Sequence, residues 1–107
     1  MTWRLDLLGA ADIMESRGQA KYTVMDDIGR VCLFGAINMA HHGDPDYADD
    51  AGAFGYEPHM RALQIVTGVR AVGRSIPNSL ADWNNRVATQ EQVVAALRAA
   101  AEVELPS

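Results

Sequence analysis

The sequence predicts a mainly α, compact domain of four or five helices with one short β-hairpin near residues 20–31. Three observations carry this reading. Apolar residues recur at three- and four-residue spacing along most of the chain. Caps and stop residues punctuate that pattern. Only residues 20–31 gather β-formers around a turn, as Tyr22-Thr23-Val24, Asp27-Ile28-Gly29 and Arg30-Val31. At 107 residues the chain makes a single globular domain, 1–107. Its 49% hydrophobic and 21% charged content suits a buried core under a solvated surface.

Leu7, Leu8, Ala11 and Met14 define a first helix over about residues 4–17, with Thr2 as N-cap and Gly18 just past the end. A lone hairpin is marginal in water, so the hairpin of residues 20–31 must lie against helices. Cys32, Leu33, Ala36, Ile37 and Ala40 share one face of a second helix, which ends at His41-His42-Gly43. Gly35 inside that helix costs about 1 kcal/mol relative to alanine, which predicts the close approach of another helix or strand. Residues 43–57 form a long acidic loop, and loops of that length in compact domains are functional or disordered. Pro58 opens a third helix, with Ala62, Ile65, Val66, Val69 and Val72 as its apolar face and Gly73 as its end. Ser79 caps a short helix reaching Asn84. Thr89 and Gln92 have capping-box spacing and open the last helix, whose stripe is Val93, Val94, Leu97, Ala100 and Ala101. Pro106 closes the chain.

The formal net charge is −5, from fourteen acids and nine bases. Asp44, Asp46, Asp49, Asp50 and Glu57 stand together without a lysine or arginine among them. Setting those five aside leaves nine acids against nine bases, so the acidity belongs to one segment. Such a segment repels a polyanion, whereas nonspecific nucleic-acid binding rests on a basic stripe. Arg61, Arg70, Arg74 and Arg86 are the one locally basic stretch, and they read as a balance to the acidic loop. Nucleic acid is therefore disfavoured as a partner. No apolar run approaches the ~20 residues that span a bilayer, so no membrane is expected. The opening residues lack a basic region followed by an apolar one, which predicts a cytoplasmic protein. Cys32 is the only cysteine, which excludes an internal disulfide and any multi-cysteine zinc site.

Three stretches carry a family likeness: Leu8-Gly-Ala-Ala-Asp12 running into Glu15-Ser-Arg-Gly18, then Cys32-Leu-Phe-Gly35-Ala36-Ile37, then Trp83-Asn84-Asn85 leading into Thr89-Gln-Glu-Gln-Val93. Over residues 4–101, apart from the acidic loop, the chain resembles an uncharacterised family of small proteins from actinobacteria and their bacteriophages. Asn85 departs from the family's Trp-Asn-Asp pattern. The resemblance implies a small intracellular protein, in some cases phage-encoded, and brings no activity with it.

Cys32 stands at a predicted helix start, where the helix dipole stabilises a thiolate. A free cysteine equally serves as a small buried hydrophobe. His41 and His42 follow nine and ten residues later, about 13–14 Å along a helix and beyond hydrogen-bond reach of the thiol. His41, His42, Asp44, Asp46, Asp49, Asp50 and His59 include metal-ligating types, but their spacing matches no dedicated site. An EF-hand register starting at Asp46 would put Ala48 and Ala51 at positions that need a ligand and a glycine. No catalytic residue, metal or cofactor is therefore predicted. Trp83-Asn84-Asn85 reads as core packing and capping, or as one wall of a groove for a partner peptide.

The functional expectation is a nonenzymatic interaction protein, such as a phage accessory protein. Its partner-binding residues are Asp44, Asp46, Asp49, Asp50, Phe54, Tyr56 and Arg61, where aromatics anchor and carboxylates steer a basic partner. A homodimer through the third and last helices is a further option. The alternative is a small metal-assisted or thiol-dependent enzyme using His41, His42 and His59 with loop aspartates, or Cys32.

Overall fold

The helix of Thr2–Arg17, α1, carries the stripe around which the other elements close. The computed structural model describes residues 2–44, 57–71, 73 and 75–105. After α1 come α2 (Leu33–His42), α3 (Glu57–Thr67), α4 (Ile76–Arg86) and α5 (Gln90–Ala100). Trp3, Leu7, Ala10, Ala11 and Met14 of α1 are buried at the alternating three- and four-residue spacing of one helix face. This stripe packs most extensively against α2 and α5, and α3 lies on α5. Leu8, expected in the stripe, is 41% exposed. Thr2 is the first helical residue rather than a cap before it.

α2 is buried from Leu33 to Asn38 and begins where predicted, with Cys32 as its N-cap. Gly43 caps the other end in the left-handed conformation. α3 departs from expectation. It stops at Thr67, where Gly68 takes φ +70 and its N–H bonds the Gln64 carbonyl at 3.0 Å. The buried face of α3 is His59, Met60, Ala62 and Leu63, whereas Ile65 is 56% exposed. α4 is longer than predicted. Ser75, not Ser79, accepts the capping bond from the Asn78 N–H at 3.2 Å, and Pro77 sits in the first turn, where its missing N–H costs nothing. The last helix follows the prediction. Gln92 N–H donates to Thr89 Oγ1 at 3.2 Å, and Thr89 N–H donates to Gln92 Oε1 at 2.8 Å.

The hairpin expected at residues 20–31 does not form. Two isolated bridges stand there, Gln19 to Val31 in parallel sense and Met25 to Val31 in antiparallel sense. Val31 N–H donates to the Gly18 carbonyl and Ala20 N–H to the Val31 carbonyl, so Val31 spends its ladder bonds on the residues just after α1. Tyr22 breaks the extended path with φ +66. The β-formers are used as a wrapped loop.

That loop explains Gly35. A Cβ on Gly35 would lie 2.2 Å from the Val24 carbonyl oxygen, far inside contact distance. The approach predicted from this glycine is real, but a loop backbone makes it rather than a helix or strand. Gly35→Ala is expected to destabilise the protein by about 3 kcal/mol, because a backbone carbonyl has to move. Chemical denaturation of the two proteins measures the difference.

Candidate functional site

Residues 18–32 are pinned to the bundle by amide side chains. Asn84 on α4 is 1% exposed and uses both ends of its amide. Its Oδ1 accepts from the Leu33 N–H at 3.2 Å and from Gln19 Nε2 at 3.3 Å. Its Nδ2 donates to the Ala20 carbonyl at 3.1 Å and to Asn85 Oδ1 at 3.0 Å. Gln19 Nε2 also donates to the carbonyls of Asn84 and Ala88, at 2.9 and 3.1 Å. From α5, Gln90 Oε1 accepts the Gln19 N–H at 3.0 Å. One buried asparagine thus joins the loop, the start of α2, and α4.

Asn85 extends the same network outward. Its Oδ1 also accepts the Tyr22 N–H at 2.8 Å, holding a bulky residue in the left-handed region while its side chain stays 71% exposed. Such backbone costs on the order of 1–3 kcal/mol and persists only where surroundings over-determine it. Beside Tyr22 opens a largely apolar cleft of about 310 Å³, lined by Thr23, Val24, Cys32, Phe34, Ala81 and the two asparagines. Cys32 is 8% exposed and its Sγ accepts the Gly35 N–H at 3.3 Å. Burial pushes its thiol pKa above the ordinary value, against the lowering effect of the backbone N–H groups at the helix start. The thiol caps α2 and is not poised as a nucleophile.

The opposite end of α2 brings three ionisable groups together. Asp6 Oδ2, from α1, lies 2.6 Å from His41 Nδ1 and 2.9 Å from His59 Nε2. His59 and Asp6 are buried, at 4% and 7% exposure, while His41 reaches water. Burial pulls the His59 pKa below the usual histidine value, although the Asp6 carboxylate raises it. The His41 ring stands edge-on to that of His42, with centroids 4.4 Å apart.

Of the histidines singled out from sequence, the structure therefore joins His41 and His59, through an acid that was not singled out. Asp6 was legible in principle. It lies within the arc bounded by the buried Trp3, Leu7 and Ala10, and a carboxylate inside an apolar stripe needs a partner. Cys32 caps one end of α2 and His41 and His42 close the other, about 13–15 Å away along the helix, which separates them as expected. Asp44 is exposed just beyond the α2 cap, and Arg61 is exposed on α3. Asp46, Asp49, Asp50, Phe54 and Tyr56 lie outside the described residues, as does Arg74. Arg86 pairs with Asp82 at 3.0 Å within α4. Trp83 turns away from the Tyr22 cleft and lines a separate one with Val66 and Val87.

Among the described residues, five helices share one core and a loop is locked onto them by side-chain amides. The chain belongs to a family of unknown function: the Family of unknown function (DUF6197) matches residues 3–103, the stretch from α1 through α5. No curated protein and no solved structure matches it. Among the described residues no helix is long and apolar enough to cross a membrane.

Two measurements probe this arrangement. Asn84→Ala leaves several buried donors and acceptors unmatched, and is expected to cost about 3 kcal/mol of stability in a denaturant titration. The Cys32 thiol is expected to react with a thiol-specific reagent more slowly in the native protein than in the denatured chain, with full labelling restored on unfolding.

Proposed function

We propose that this protein is a nonenzymatic interaction module that receives an apolar side chain of a protein partner in the Tyr22 cleft. The observation that carries the reading is Tyr22 itself, an aromatic residue held at φ +66 and 71% exposed at the cleft mouth. Strain of this kind is retained where a side chain must be presented, and tyrosine is a favoured anchor at interfaces. A volume near 310 Å³ sits at the floor of the range for small-molecule pockets, about 300–1,000 Å³. It suits one large side chain better than a cofactor.

The acidic segment supplies the second proposed contact. Asp44, Asp46, Asp49 and Asp50, with Phe54, Tyr56 and then Arg61, would steer a partner of basic surface and add aromatic anchors. A cytoplasmic protein of actinobacteria or their phages, bound to a host or phage protein, is the setting this reading implies.

Replacing Tyr22 or Phe54 with a photo-crosslinking phenylalanine analogue tests both contacts. The expected result is one discrete adduct with the same partner from either position, and none from a control at Glu91. Tyr22→Gly is expected to weaken capture while leaving the thermal midpoint equal or higher, because glycine removes the strain of a positive φ. Adducts from position 22 no stronger than from position 91 would sink the cleft as a contact surface.

A further inference from the structure

We propose that Asp6, His41 and His59 form a binding site for one divalent transition-metal ion of the zinc type, with a carboxylate oxygen and two imidazole nitrogens as ligands. The proposal is independent of the partner-binding reading. It stands on the convergence of three helices: Asp6 from α1, His41 from the last turn of α2 and His59 from the first turn of α3. Their candidate ligand atoms all lie within 4.8 Å of one another.

The two carboxylate–imidazole distances are close to those an ion would set. Zinc binds histidine nitrogen and carboxylate oxygen at about 2.0–2.2 Å, which sets tetrahedral ligand atoms about 3.3 Å apart. Asp6 Oδ2 is now 2.6 and 2.9 Å from the two nitrogens, so these gaps have to widen by about 0.7 and 0.4 Å. The two rings are nearly perpendicular, at 84° with centroids 6.2 Å apart, so they approach the carboxylate from different directions instead of stacking. Binding requires each neutral ring to carry its proton on the nitrogen turned away from Asp6, a change of tautomer.

Ligand chemistry selects the ion. Two imidazoles with one carboxylate suit zinc and its first-row neighbours, whereas calcium and magnesium need a shell of oxygens. Three protein ligands leave a fourth position for water, as in open zinc sites. His41, whose side chain is 32% exposed, provides the route from solvent to the buried pair. The Asp6 charge favours a cation here, and the negative end of the α2 dipole at His41 offsets the positive end of α3 at His59. An ion at this point would tie the end of α2 to the start of α3.

Isothermal titration of the full-length protein with zinc chloride, and visible absorption of the cobalt(II) form, test the site. The wild type is expected to take up one equivalent, to give cobalt bands of low-symmetry nitrogen–oxygen coordination, and to melt at higher temperature with zinc than without. His41→Ala, at a partly exposed position, is expected to fold and to lose at least about 100-fold in affinity, more than a mere supporting residue would cost. Asp6→Asn keeps the shape of the carboxylate and is expected to show the same loss. His42→Ala is expected to bind as the wild type does. The proposal is overturned if the wild type takes up no metal, or if His41→Ala binds as tightly as wild type. It is equally overturned if His42→Ala loses as much as His41→Ala, since the ion would then sit on an adventitious surface pair.

Discussion

The Asn84 amide is the constraint on which the rest of the structure depends. Without strand pairing, the backbone of residues 18–32 has to find partners elsewhere, because buried amides left unmatched are costly. One side chain supplies acceptors to Leu33 and Gln19 and donors to Ala20 and Asn85, so the loop, the first turn of α2 and the body of α4 share a single anchor. Cys32 and Gly35 make sense only with the loop so held. The cysteine caps α2 beneath it, and the glycine makes room for the Val24 carbonyl. Tyr22, strained and outward, stands at the far edge of the same network.

α2 acts as a spacer between two chemically different ends. Its N-terminal end meets neutral amides, a buried thiol and an apolar cleft. Its C-terminal end meets a carboxylate and two imidazoles, and leads directly to the segment that holds the excess negative charge. Ten residues of helix keep these environments apart, which is why a thiol and a histidine in one short element do not become a reactive pair.

The helices were largely legible in the sequence because their signals are local. The Thr89–Gln92 box, the Gly18 stop and the apolar stripe of α5 each lie within one or two turns, and the structure keeps all three. Errors arose where two neighbouring local signals competed, or where a remote partner overrode a local one. Ser79 looked like a cap, yet Ser75 takes that role because Pro77 is compatible with a first turn. Gly73 looked like the end of α3, but Gly68 comes sooner in the left-handed conformation. Tyr22-Thr23-Val24 has strand propensity, but its fate was set by asparagines more than sixty residues away. The His41–His59 pair was visible as residue types, but its meeting at Asp6 depends on how three helices cross, which no spacing along the chain encodes. The family match over residues 3–103 agrees with the resemblance carried by the Cys32 and Trp83 stretches.

Arg4 on α1 donates to the Ala101 carbonyl at 2.7 Å across a separation of 97 positions, and α1 takes one of its two largest covers from α5. α1 is therefore fully shielded only after α5, the last of the described helices in chain order, has been made. Until α5 has been synthesised, the Trp3–Met14 stripe has half its cover missing, and loop closure over nearly the whole chain has to precede completion of the core. A nascent chain of this protein consequently carries the buried face of α1 without its α5 cover until α5 is made. Loss of α5 would take from that face one of its two largest covers.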